Sequence, residues 1–169
     1  MNVISTTSAR DKRHLATVIA IAAVSLLAAV AAHAGECPAD KRVADGRGQP
    51  MSSEAAKGVT DAVVTSTELA KEPVAIGGRL FRARKLDIAA GGVVPWHSHG
   101  DRPAMILIAA GEITEYASTC AVPIVHKAGE ITAEKSPTAH WWKNSGGAPV
   151  VIYSFDLFRV DDKKHERMM

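Results

Sequence analysis

From Val59 onward the chain alternates between short apolar runs and turn residues. Val, Ile and Leu cluster in these runs, and Gly77-Gly78, Gly91-Gly92, Gly100-Asp101, Gly111, Gly129 and Gly146-Gly147 break them. Runs so short and so closely spaced predict an all-β sandwich or barrel. The pattern places strands over residues 62–67, 80–88, 93–97, 104–109, 112–118, 122–127 and 149–158. No run in this part carries the helical period of a long amphipathic helix, although residues 52–59 could make one short turn. Residues 35–58 are polar, punctuated by Gly and Pro and poor in large apolar side chains, which reads as an irregular N-terminal arm. The barrel then occupies 59–160, and residues 161–169 form a charged C-terminal tail.

The first 34 residues follow another pattern. Residues 1–14 are polar with Arg10, Lys12 and Arg13, and residues 15–32 form an uncharged, alanine-rich run. The run closes on Ala32-His33-Ala34, a small-residue box suited to signal peptidase, so 1–34 reads as a signal peptide cut after Ala34. The competing reading is a retained membrane anchor, because the run is about as long as a minimal spanning helix. Alanine dominance and the cleavage box favour removal. There is no twin-arginine pair, and Ala34 stands where a lipoprotein site at Cys37 would need a larger apolar residue. Sec-type export to the periplasm, or secretion, is the expectation.

Export changes the charge argument. The full chain holds 20 Lys+Arg against 18 Asp+Glu, and the leader removes three basic residues and one acidic. What remains is balanced, so nothing steers the mature protein to nucleic acid or, after cleavage, to a membrane. Removing 34 of the 169 residues leaves enough chain for one domain with its own core. Cys37 and Cys120 both survive into a compartment where disulfides persist. Pairing them would tie the arm to the barrel, worth about 4 kcal/mol in chain-entropy terms. The alternative is two free or intermolecular thiols.

Candidate chemistry centres on PWHSHGDRPA, residues 95–104. Alternate side chains of an extended strand share one face at a rise of about 3.3 Å per residue, so His97 and His99 point the same way and can chelate one ion. By itself H-x-H is weak evidence. Context strengthens it: Gly91 lies six residues before His97, Gly111 lies twelve after His99, and His140 is followed four residues later by Asn144 in HWWKN.

Together these blocks resemble the two-motif signature of the cupin superfamily. Its first motif runs glycine, five residues, H-x-H, a short gap, glutamate, six residues, glycine; here it reads GGVVPWHSHGDRPAMILIAAG. Its second leads from a glycine to a histidine and then, after three residues, an asparagine; here it reads GEITAEKSPTAHWWKN from Gly129. The likeness covers residues 76–158 and is nearest in kind to small secreted single-domain cupins. It implies a single antiparallel cupin-type β-barrel, a jelly roll, with a metal site of His97, His99 and His140. It also implies barrels that pair through edge strands, hence a homodimer. Two departures stand out. The motif-one glutamate falls at Ala104, or at Pro103 with the shorter gap, and neither side chain can ligate a metal. The usual P-x-G before the second-motif histidine is replaced by Lys135-Ser136-Pro137. A substitute carboxylate could come from Asp101, Glu112 or Glu115; of these Glu115 lies on a predicted strand, where it could equally face outward.

Three neutral imidazoles would leave the full +2 charge of an ion uncompensated and several positions open. Nitrogen ligands suit one divalent transition metal, Fe(II) first, with Cu, Ni, Zn or Mn behind it, better than Mg or Ca. An uncompensated cation favours a small anionic organic molecule as ligand. Arg102 stands either at the pocket mouth or solvated in its loop. With Ala104, Ile106, Glu115 and Trp142 it makes up the candidate substrate pocket. His126 lacks an H-x-H partner and reads as structural, and Asn144 reads as a turn former. No catalytic residue is assigned. The mature chain has no G-x-S-x-G, P-loop, dinucleotide fingerprint or C-x-x-C, which argues against those chemistries. The resemblance thus implies a periplasmic metal-binding cupin that binds a small anion and, in dioxygenase-like chemistry, oxidises it. The other readings are a non-catalytic ligand-binding or sensing module and a structural cupin with an empty site.

Overall fold

Strict alternation of buried and open positions is what makes the central strands. In the computed structural model residues 35–160 are described; the expected signal peptide, 1–34, and the charged tail, 161–169, lie outside them. Eight strands follow one another: β1 (Lys57–Glu68), β2 (Arg79–Ser98), β3 (Ala104–Ala110), β4 (Glu112–Ala117), β5 (Ile124–Lys127), β6 (Ile131–Glu134), β7 (Ala139–Lys143) and β8 (Val150–Arg159). Among the described residues only two 3-10 turns, Ala39–Lys41 and Leu69–Lys71, are helical, and no helix is long and apolar enough to cross a membrane.

The strands form one curled antiparallel sheet in the order β5-β4-β7-β2-β8-β3-β6, with β1 added against β2. Strand β2 belongs to both halves of it. Residues 79–88 pair with β1 and β8, whereas 93–98 pair with β7. Curling brings the two inward faces over one core, which includes Leu86 and Ile88 of β2, Ile106 and Ile108 of β3, Ile113 of β4 and Trp142 of β7. Each large side chain taken fully out of water there contributes about 1.5–3 kcal/mol. The fold is therefore the expected all-β jelly roll.

Residues 80–88 and 93–97, expected as two strands parted by a glycine turn, are one 20-residue strand. Gly91 has φ of 71°, and a Cβ on Gly92 would lie 2.7 Å from Cγ2 of Ile88 and 2.8 Å from the Ala89 carbonyl oxygen. The glycine pair thus bends the strand from one half-sheet into the other instead of ending it. Asn144 clasps the bend. Its Nδ2 donates to the carbonyls of Ile88, Ala89 and Ala148 at 3.2, 3.0 and 2.9 Å, and its backbone exchanges hydrogen bonds with Gly91 and Gly92.

Strands β6 and β7 lie where no strand was expected, because runs of four and five residues are too short for a two-residue period to stand out. Strand β1 begins at Lys57, so no helical turn forms over 52–59. The arm is pinned rather than loose. Arg42 bridges to Cys120, and the backbone nitrogens of Val43, Gly48 and Gln49 donate to Thr119, Ser118 and Ala117 at 3.0, 2.8 and 2.9 Å. Cys37 and Cys120 form a disulfide there, a bond that belongs to an oxidising environment.

Candidate metal centre

Strand β2 carries His97, and His99 follows just past its end; strand β7 carries His140. Register places His97 directly across from His140, after an irregularity between Val94 and His97. Pro95, which has no N–H to give the ladder, sits in that irregularity and makes it tolerable. The three imidazoles gather with ring centroids 4.6–5.1 Å apart. Every Nδ1 is engaged by a pure acceptor: His97 donates to the Pro95 carbonyl at 2.9 Å, His99 to the Arg102 carbonyl at 2.8 Å and His140 to Glu115 Oε1 at 2.6 Å. Holding Nδ1 in this way turns Nε2 into the metal-facing atom and locks the ring. The Nε2 atoms of His97 and His140 are 3.1 Å apart, and Nε2 of His99 is buried with no protein partner. Two nitrogens bound at about 2.1 Å at right angles around one ion would stand about 3.0 Å apart. The three residues can therefore hold a divalent metal ion.

Electrostatics fit that role. Burial, with the charge of His140 next, holds His97 well below the ordinary histidine value and His99 at about 3, so both stay neutral and available as ligands. His140 moves the other way: burial opposes its proton, but Glu134 and Glu115 outweigh it. Burial would raise Glu115, yet His140 and His126 hold it ionised, down to about 2. Its second oxygen, Oε2, accepts from His126 Nε2 at 2.9 Å. His126 is fully buried and stacks on Trp142 with centroids 4.6 Å apart. Glu134 Oε2 lies 3.4 Å from His140 Nδ1, and burial, with the charge of Glu115 adding to it, pushes Glu134 up to about 7.

Opposite the histidines stand arginines. Arg82 grips Asp156 with two hydrogen bonds of 3.0 and 2.8 Å, while Arg84 and Arg102 each bring Nη1 within 4 Å of the same carboxylate. Arg84 also pairs with Asp61 of β1, at 3.0 Å from Nε. Arg84, Arg102 and Ser154 line the same cavity as the three histidines, with apolar walls that include Val94, Ile106 and Trp142. The cavity measures about 40 Å³, room for roughly three water-sized ligands at 10–15 Å³ each.

Of the sequence-expected residues, the structure brings His97, His99, His140, Arg102, Ile106 and Trp142 to this cavity. Arg102 is buried, not solvated. Two pocket expectations are corrected. Ala104 packs into the core, and Glu115 lies behind His140, because β4 flanks β7 and presents its carboxylate to Nδ1. Asp101 and Glu112 are exposed and paired with surface cations. Sequence reading missed Glu134, which sits across from Ala104 in register. It also underweighted His126, whose alternation with buried Ile124 was the available signal.

Neither a protein-family model nor a curated protein matches this sequence. Solved structures do. A predicted oxalate decarboxylase from Thermotoga maritima superposes with a TM-score of 0.50 at 16% identity, over 73% of this chain and 98% of that one. The cupin domain of Schizosaccharomyces pombe Cnp3 gives 0.49 at 17% identity over 70% and 77%. A double-stranded β-helix protein from Klebsiella pneumoniae gives 0.48 at 19% over 66% and 83%. The chain has the cupin fold. At 16% identity the likeness to the Thermotoga maritima structure establishes the fold alone and leaves the chemistry to this chain's own residues.

Proposed function

We propose that this cupin is an exported metal-binding protein whose three-histidine centre takes a small anion. The observation that carries the reading is that ring nitrogens of the three histidines gather within 4.8 Å of one another while each Nδ1 donates to an oxygen acceptor. A bound divalent ion would supply Lewis acidity and, with Fe(II) as the first choice among Fe, Cu, Ni, Zn and Mn, redox chemistry. The chain's own residues supply the rest. The carbonyls of Pro95 and Arg102 and the carboxylate of Glu115 orient the rings. Arg84 and Arg102, with the hydroxyl of Ser154, favour an anionic group on the cavity's far side. The apolar walls exclude bulk water, so charge interactions inside act at low dielectric. Glu115 stays ionised and holds the proton on His140 Nδ1, and both Glu115 and Glu134 border an outer cleft of about 350 Å³ under the arm.

Dioxygenase-like oxidation of a small organic anion is the enzymatic form of this reading. Cavity size favours a second form, a binding or sensing module, since about 40 Å³ admits only a ligand of a few heavy atoms. Elemental analysis of the exported protein tests the shared core: wild type should carry about one metal per chain, and a His97→Ala/His140→Ala variant close to none. Equal metal in both removes the proposal. Turnover of a small carboxylate in the presence of oxygen, set against simple saturable binding, separates the two forms.

A further inference from the structure

The outer cleft under the arm shares no lining residue with the cavity that holds the three histidines. Cys37, Arg42 and Val43 of the arm form one wall, and Glu115, Ile124 and Glu134 bring β4, β5 and β6 to it. At about 350 Å³ it falls within the ordinary size range of small-molecule sites. Glu134 is the unusual member. It is 3% exposed, yet its Oε1 meets no hydrogen-bond donor among the described residues. Its Oε2 has only His140 Nδ1, at 3.4 Å, and that proton already goes to Glu115 at 2.6 Å. Buried carboxylates are normally given donors, because one left without them is costly. This one calls for a donor that the chain does not supply.

We infer that this cleft binds a small organic ammonium ion, whose N–H groups donate to the Glu134 carboxylate. The other charges around it are answered within the chain. Glu115 accepts from His140 and His126, one at each oxygen. Arg42 donates to Glu36 and to the Cys37 carbonyl, both at 3.3 Å. Lys135 is exposed, where water and salt screen it. Glu134 is the charge left over, and its complement is a cation that carries hydrogen-bond donors. A bare metal ion fits less well. Glu115, Glu134 and His140 do lie close together, but the proton on His140 Nδ1 and the two donors on Glu115 leave one carboxylate free. Transition-metal sites use three or four protein ligands, whereas one desolvated carboxylate is enough to hold an ammonium group. Val43, Ala117 and Ile124 give the cleft an apolar side, against which the alkyl part of such a ligand can pack. The Cys37–Cys120 disulfide ties down the arm wall, so the cleft stands formed before a ligand arrives.

The test is an NMR titration of metal-stripped protein in sodium phosphate, which makes the outcome independent of the metal reading. The probe is n-butylammonium, and 1-butanol is its uncharged counterpart. Backbone amides of residues 132–138 should shift saturably with n-butylammonium, at a dissociation constant in the millimolar range expected for so small a ligand. Butanol should bind at least about 10-fold more weakly, and Glu134→Gln, which keeps the shape and drops the charge, should weaken n-butylammonium about 10–100-fold. Glu112→Gln, exposed and outside the cleft, should change nothing. Should the Glu134 variant melt early, Thr132→Phe serves in its place. Thr132 precedes Glu134 by two residues on the same face of β6 and lines the cleft, so the ring should fill the space and abolish the shifts. Absence of saturable shifts in wild type overturns the inference. So does butanol binding as tightly as n-butylammonium, a Glu134→Gln protein that binds like wild type, or shifts centred on Val94 and Trp142 of the histidine cavity.

Discussion

Glu115 makes the sharpest prediction, because one carboxylate fixes two imidazoles at once. Its oxygens accept from His140 Nδ1 at 2.6 Å and from His126 Nε2 at 2.9 Å, and the group is 3% exposed. Removing the partner of a metal-binding imidazole typically weakens metal affinity 10–100-fold, or about 1.4–2.7 kcal/mol. Glu115→Ala removes charge and orientation together and leaves a buried N–H facing an apolar gap, so it should lose about 100-fold. Glu115→Gln should be milder. An amide offers one acceptor and one donor to what are now two imidazole donors, so one histidine must change tautomer. His126 can do so without breaking another hydrogen bond, since its Nδ1 has no partner to lose; the change buries an unpaired N–H there, which costs stability more than metal affinity, and Gln can then go on accepting from His140. What disappears is the charge, and the loss should stay near 10-fold. Chelator competition on metal-stripped protein, read with Zn(II), measures both, and Glu112→Ala at the exposed start of β4 serves as control. A Glu115→Ala protein within threefold of wild type would refute the reasoning, as would a Gln variant weakened as much as the Ala one.

Two further outcomes are expected. Glu134 has a native pKa of about 7, raised above its ordinary 4.5, so the native state keeps a proton that the unfolded chain releases. Its contribution to stability is full below pH 4.5 and falls as pH rises toward 7, by at most about 1.4 kcal/mol per pH unit. In metal-free protein, urea melts should show Glu134→Gln gaining on wild type from pH 4.5 to 7; a difference that stays constant across that window would exclude the buried-proton account. The Cys37–Cys120 bond closes a loop of 83-residue separation, worth about 4.5 kcal/mol of chain entropy. Replacing both cysteines with serine should lower Tm by roughly 15 °C for a domain of this size, where unfolding entropy is about 2.1 cal/mol/K per residue. A calorimetric shift under about 3 °C would show that the arm is held by its backbone hydrogen bonds alone.

Much of this molecule could be read without coordinates. A two-residue alternation assigns each strand residue to the inside or the outside, and that is a local property. His97 and His99 had to share a face, and Ile106 and Ile108 had to face the core. HWWKN added His140, and two cysteines left one intramolecular pairing. What the pattern could not hold is which strand lies beside which. Gly91-Gly92 looks like any turn in one dimension; only the pairing of β2 with β8 on one side of the bend and β7 on the other makes it a crossing.

The same limit explains the carboxylates. Ala104 marks a missing ligand in its own strand, but no local feature says what stands across from it. Register places Glu134 on one side and Asp156 on the other. The arginines take Asp156, while Glu134 and Glu115 gather behind His140. The chain by itself determined most of its strands, their inward faces and the three histidines, because side-chain phase and H-x-H geometry are short-range. Tertiary structure alone decided where the negative charge sits, because contacts across a sheet join residues tens of positions apart and depend on register. Here it put that charge at the back of a ligand, not in the empty place left by Ala104.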